Sequence, residues 1–131
     1  KSLMADSTFQ PIRDLWQNLD MAILSVTDLS ETCSMFRYGI CNANDLASIA
    51  EAGATCACNF VFFDADGNFV NTPLSERIVC LPLENMKTIP NLVIISAGPS
   101  KVAPIRSLMK SGLCSALITD VNNAKAILAS D

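Results

Sequence analysis

Histidine is absent from the 131 residues. That removes the base of a Ser-His-Asp or Cys-His pair and the imidazole of most zinc sites. No two cysteines form a C-x2-C pair, so a zinc-finger spacing is missing as well. No apolar run approaches the roughly 18 residues of a membrane helix, and no membrane partner is expected. Charge is scarce too: 17% of residues are charged and the net charge is −4. A duplex-binding module shows a basic patch, and none is present, so these residues are not expected to touch DNA. No secretory signal is visible, because Lys1 opens a mixed segment and the first long apolar run follows Asp20. The first residue is not Met, so a chain boundary rather than a natural start is expected there.

What is present suits one domain. Half the residues are apolar, enough for a real core, and 131 residues fit a single unit. Residues 1–66 hold three basic and nine acidic side chains, whereas 67–131 hold six basic and four acidic. The second half is therefore the better place for a small anionic ligand. Six cysteines stand at 33, 41, 56, 58, 80 and 114. Cys56 and Cys58 are two apart in a strand-like run, where side chains share a face and bridge poorly. Reduced core thiols, and with them a cytoplasmic location, are the expectation.

The hydrophobic period gives the elements. Residues 8–18 read as a helix capped by Thr8 with Pro11 in its first turn. Residues 21–26 read as a short strand, and 27–43 as a loop with one short strand near Tyr38. Residues 44–53 read as a helix capped by Asn44 and stopped by Gly53. "TCACNFVFF", 55–63, reads as one strand buried on both faces, turning at "DADG" into a hairpin. Residues 77–81 read as a strand, 83–87 as a short helix between Pro82 and Pro90. Strand 91–96, a helix ending at Gly112, strand 116–119 and a helix capped by Asp120 complete the chain. The last four elements imply parallel pairing with crossover helices.

Three strand ends carry polar groups. After strand 91–96, "SAGPSK" turns into a helix, where free N–H groups and Lys101 suit an anion, although Pro99 has no N–H to give. A plain turn with a solvated lysine fits this stretch equally well. "LITD" places Thr119 and Asp120 at a strand end, with capping the favoured role for Asp120. "LSVT" places Ser25 and Thr27 at another, where hydroxyls suit a sugar or phosphate but a plain loop start is the favoured reading of the stretch alone. "DADG" lacks the Gly and Glu spacing of a calcium loop, so no metal site is expected. No catalytic set emerges, and no cofactor is expected.

In order along residues 9–128, the motifs resemble a known family. "GATCACNFVFFDADGNFVN" and "NLVIISAGPSKVAPIRSLMKSGLCSALITDVNNAKAIL" resemble the C-terminal part of the SorC/DeoR-type effector domains of bacterial sugar-metabolism regulators. The resemblance implies an α/β, Rossmann-like three-layer sandwich, with a mainly parallel sheet plus a β-hairpin. It implies a single domain over residues 1–131, the C-terminal part of a sugar-phosphate effector-binding domain. It implies a phosphorylated sugar or related small anion as effector, a homo-oligomer, and DNA contact only through an N-terminal domain outside this chain. By the same resemblance Lys101 matches the lysine that pairs with the effector's phosphate, and Gly98, Ser100, Ser25, Thr27, Ala57 and Asp64 complete the expected site. The match has departures. Ala57 replaces an aspartate that bonds sugar hydroxyls, Pro99 replaces a loop glycine, and Ser25 and Thr27 replace two strand-end glycines. Losing that aspartate removes an acceptor worth about 1.5–3 kcal/mol. The expectation is a non-enzymatic sensor with an unusual effector. Its rivals are a structural fragment with a degenerate pocket and a sugar-phosphate isomerase-like enzyme.

Overall fold

The computed structural model describes residues 2–129. The chain opens with α1 (Ser2–Ala5), a 3-10 turn (Ser7–Phe9) and α2 (Gln10–Gln17). Asp6, not Thr8, provides the cap: its carboxylate accepts from the Thr8 N–H at 2.8 Å. Phe9 and Trp16 then meet edge to face at 6.0 Å between ring centroids.

The run expected as one strand over residues 21–26 divides into β1 (Met21–Leu24) and β2 (Val26–Asp28). Each half belongs to a different sheet, with Ser25 at the crossing point. Further on come α3 (Ser34–Arg37) and α4 (Ala43–Glu51), then β3 (Cys56–Cys58), β4 (Val61–Phe63) and β5 (Phe69–Val70). The final third runs α5 (Leu83–Thr88), β6 (Asn91–Ile95), a 3-10 turn (Pro99–Lys101), α6 (Val102–Lys110), β7 (Ala116–Ile118) and α7 (Val121–Leu128).

Two sheets result. One is parallel, in the order β1-β6-β7; the other is antiparallel, β2-β3-β4-β5. The expected α/β class and the β4–β5 hairpin are present, and the antiparallel part is larger than that hairpin alone. The reason lies in residues 55–63. The expected single strand folds back on itself at Asn59 and Phe60, whose φ values are +50° and +62°. Two consecutive residues of this kind make the tight turn that matches strand twist, and Asn is the usual first choice. The expected burial still holds: all six residues of β3 and β4 are buried.

The antiparallel sheet is buried because it divides two cores. Cys56, Cys58, Val61 and Phe63 face a cluster with Leu92 and Ile94 of β6 and Ile105 and Leu108 of α6. Ala57 and Phe62 face the other, with Met35, Ile49 and Leu74. The parallel sheet is different. Its registered partners Ile23 and Val93, and Ile95 and Ile118, share one face. There Met21, Ile23, Ile95 and Ile118 are 45–61% exposed.

Three further expectations change. Residues 77–81 do not pair as a strand; Leu81 instead accepts from the Asn59 side chain at 3.3 Å. Tyr38 ends the helical turn α3, and the strand in this region lies earlier, at Val26–Asp28. Asn42, not Asn44, caps α4, in a reciprocal pair with Asp45 at 3.0 Å each way.

Candidate functional site

The strand crossing at Ser25 brings β2 beside the turn that opens α6. A cleft of about 410 Å³ lies between them, lined by Ser25, Val26, Thr27, Asp28, Ser100 and Lys101. The loop into α3 and the β3–β4 turn close it, through Thr32, Cys33, Asn59 and Phe60 among others, with Ala57 on its floor.

Lys101 and Asp28 dominate its electrostatics. The Lys101 ammonium lies 2.9 Å from Asp28 Oδ1 and 3.5 Å from Thr27 Oγ1. Both charged side chains are about four-fifths buried, at 21% and 23% exposure. The Ser30 hydroxyl donates to Asp28 Oδ2 at 2.6 Å and meets the Thr32 hydroxyl at 2.8 Å. Burial pushes the Asp28 carboxyl up, yet the Ser30 hydroxyl and the Lys101 ammonium together hold it below the ordinary aspartate value. The cleft thus combines a paired cation and anion with several hydroxyls.

Five of the seven residues expected from sequence come together here: Ser25, Thr27, Ala57, Ser100 and Lys101. Gly98 and Asp64 are engaged elsewhere. Gly98, at φ +105°, donates its N–H to Asp120 Oδ2 at 2.8 Å and accepts at its carbonyl from Asn123 Nδ2 at 2.9 Å. A carboxylate of the chain itself therefore takes the amide offered to an outside anion. Bonding to the Gly98 N–H, and then to that of Asn123, holds the Asp120 carboxyl below its usual value. Asp120 also caps α7, accepting from the N–H groups of Asn122 and Asn123 at 2.9 Å. Asp64 builds the hairpin turn, accepting from the Asp66 and Asn68 N–H groups and the Asn68 side chain, each at 2.9 Å.

Sequence reasoning missed Asp28, Thr32, Cys33, Asn59 and Phe60. One signal was available: Asn59 is the lone strongly polar residue inside an apolar run of nine, a mark of a turn. Asp28 carried no local signal, since its partner lies 73 positions away.

All six cysteines are free, and Cys33, Cys41, Cys56 and Cys58 are buried. Burial pushes the Cys58 thiol up to about 12 and raises Cys41 and Cys56. A thiolate nucleophile is disfavoured at these positions. Among the described residues no cluster of three or more Cys, Asp or Glu is placed to hold a metal ion. No helix among them is long and apolar enough to cross a membrane.

Known proteins resemble this chain in sequence and in fold. The family described as "Putative sugar-binding domain" matches residues 1–129. The erythritol catabolism regulatory protein EryD of Brucella abortus is 27% identical over 126 residues, covering 96% of this chain and 40% of that protein. The transcriptional regulator LsrR of Escherichia coli K12 is 43% identical over 70 residues, 53% of this chain and 22% of that protein. A DeoR family transcriptional regulator from Listeria monocytogenes superposes with a TM-score of 0.90 at 24% identity, over 96% of this chain and 51% of that one. The chain thus spans two-fifths of the EryD sequence and half of the Listeria structure. With the family matched across residues 1–129, the chain belongs to this sugar-binding domain family, and its relatives EryD and LsrR are regulators.

Proposed function

We propose that this domain senses a small polyhydroxylated effector, a phosphorylated sugar or a related anion, in the cleft around Lys101. The observation that carries the reading is the largely buried Lys101 side chain. It stands among hydroxyls and beside Asp28 in a cleft of about 410 Å³. Charged and hydroxyl groups converging in a concave site are the usual means of fixing a small polar ligand. The name of the Brucella relative, an erythritol catabolism regulatory protein, supports a sugar or polyol as the ligand class.

In the whole regulator, effector binding biases an oligomer between DNA-bound and released states, a coupling of two sites and not a chemical reaction. DNA contact belongs to a domain outside this chain, and the protein works in the cytoplasm. The chain itself forms the C-terminal part of the effector domain. Lys101 and Ser100 hold the anion, while Ser25 and Thr27 bond hydroxyls beside Ala57. Gly98 and Asp64 act indirectly, as shapers of the turns that hold these groups. A sugar-phosphate isomerase-like activity is the less favoured reading, because the cleft offers neither a histidine nor a pair of carboxylates.

Thermal shift against a panel of sugar and polyol phosphates tests the reading. A true effector at 100 times its Kd adds about 2.7 kcal/mol of stability, and Lys101→Ala abolishes that gain. A flat panel with the intact protein would favour the degenerate-pocket reading, and turnover of any panel member would favour the enzyme.

A further inference from the structure

Resting on the reading of the cleft as an effector site, we propose that Asp28 is its specificity-determining residue. Its carboxylate occupies the Lys101 ammonium and so makes the cleft discriminate against bare anions. The observations are geometric. Lys101 supplies the only cationic side chain among the described residues that line the cleft. Its ammonium lies 2.9 Å from Asp28 Oδ1, and the second carboxylate oxygen is fixed by Ser30 at 2.6 Å. Ser30 is itself held by Thr32 at 2.8 Å. The carboxylate is thus aimed by two hydroxyls in series, unlike the loosely tethered ion pairs of an open surface. Two positions of the turn give no amide to an anion: Pro99 has no N–H, and the Gly98 N–H goes to Asp120.

The chemistry follows. An incoming phosphate meets a cation already neutralised by a carboxylate. To reach Lys101 it must displace Asp28 and then lie beside a like charge. Inorganic phosphate gains nothing from Asp28 in return. A ligand with hydroxyls next to its phosphate donates them to the Asp28 carboxylate while its phosphate takes the ammonium. The cleft therefore selects a phosphate that carries neighbouring hydroxyls, as in a polyol or open-chain sugar phosphate, and rejects phosphate alone.

Isothermal titration of the intact chain with inorganic phosphate tests this in wild type, Asp28→Asn and Lys101→Gln. Asp28→Asn keeps the size and the Ser30 contact but removes the charge. It is expected to tighten phosphate binding about tenfold or more, the scale of one hydrogen bond to a charged group, and Lys101→Gln to weaken it. Equal affinity in wild type and Asp28→Asn, with weakening by Lys101→Gln, would overturn the role of Asp28 and leave the effector site standing. No phosphate binding by any of the three, and no sugar or polyol phosphate bound by wild type, would remove the site and this inference together. If circular dichroism shows Asp28→Asn unfolded, Ser30→Ala decides. It frees the carboxylate without removing it and is expected to tighten phosphate binding two- to threefold; an unchanged affinity would again overturn the proposal.

Discussion

Phe60 and Phe62 lie two positions apart and show how differently one side-chain type is used. Phe62 is fully buried in the smaller core, and Phe62→Ala is expected to cost about 3–5 kcal/mol, read from urea denaturation. Phe60 lines the cleft and holds φ +62°, a left-handed backbone that costs a bulky residue about 1–2 kcal/mol. Phe60→Gly removes as large a ring but relieves that strain, so it is expected to cost a fraction of the Phe62 change. Asp28 gives the pH expectation. Its carboxyl sits below the ordinary aspartate value of 3.8 in the folded state. A lowered pKa means stability that is present above the unfolded value and lost as pH falls through the folded one. Melting temperature should therefore drop more steeply below pH 3.8 in wild type than in Asp28→Asn. Equal slopes would deny the pair any linkage.

At the scale of elements, one close approach sets the position of α6 against the β4–β5 hairpin. A Cβ added to Gly67 would run into the backbone of Ser111, Ser107 and Lys110 at the end of α6, and the residue sits at φ +83°. Gly67→Ala combines a left-handed backbone penalty with overpacking against main chain, so about 3 kcal/mol is expected, read as a shifted denaturation midpoint. The legible elements were those whose signals are local. Asp120 at the start of α7, Gly53 and Gly112 after helices, Pro82 before α5 and the apolar run of β6 each marked a boundary where one was found. The illegible ones depended on distant partners. Residues 77–81 have strand-like side chains but no neighbouring strand to bond. The β3–β4 turn is announced only by Asn59, without a Gly, and Ser25 changes sheets with no breaker nearby. Lys101 was readable as the end of a strand–turn–helix; its counter-charge was not, because only folding brings position 28 to position 101.

Over the whole molecule, the two sheets differ in what covers them. The antiparallel sheet has a core on each side, whereas Met21, Ile23, Ile95 and Ile118 leave one face of the parallel sheet apolar and open. Purely parallel sheets are ordinarily covered on both faces, and a contiguous apolar patch attracts whatever apolar surface it meets. The 131-residue chain alone is therefore expected to bind an apolar fluorescent dye such as ANS while folded. Ile23→Ser with Ile118→Ser should cut that signal with a stability change smaller than a buried isoleucine would give, about 1 kcal/mol or less. Dye binding unchanged by the pair would place the apolar surface elsewhere. The cleft, too, has a distant dependence. Asn123, only 2% exposed, grips the carbonyl of Gly98 from α7, and Asp120 grips the N–H of the same residue. The last helix thus works as a clasp on the hinge from which Lys101 extends. Loosening that clasp with Asn123→Ala should blunt ligand capture although no group facing the ligand has been touched, so the reach of the lysine is set by residues some twenty positions downstream of it.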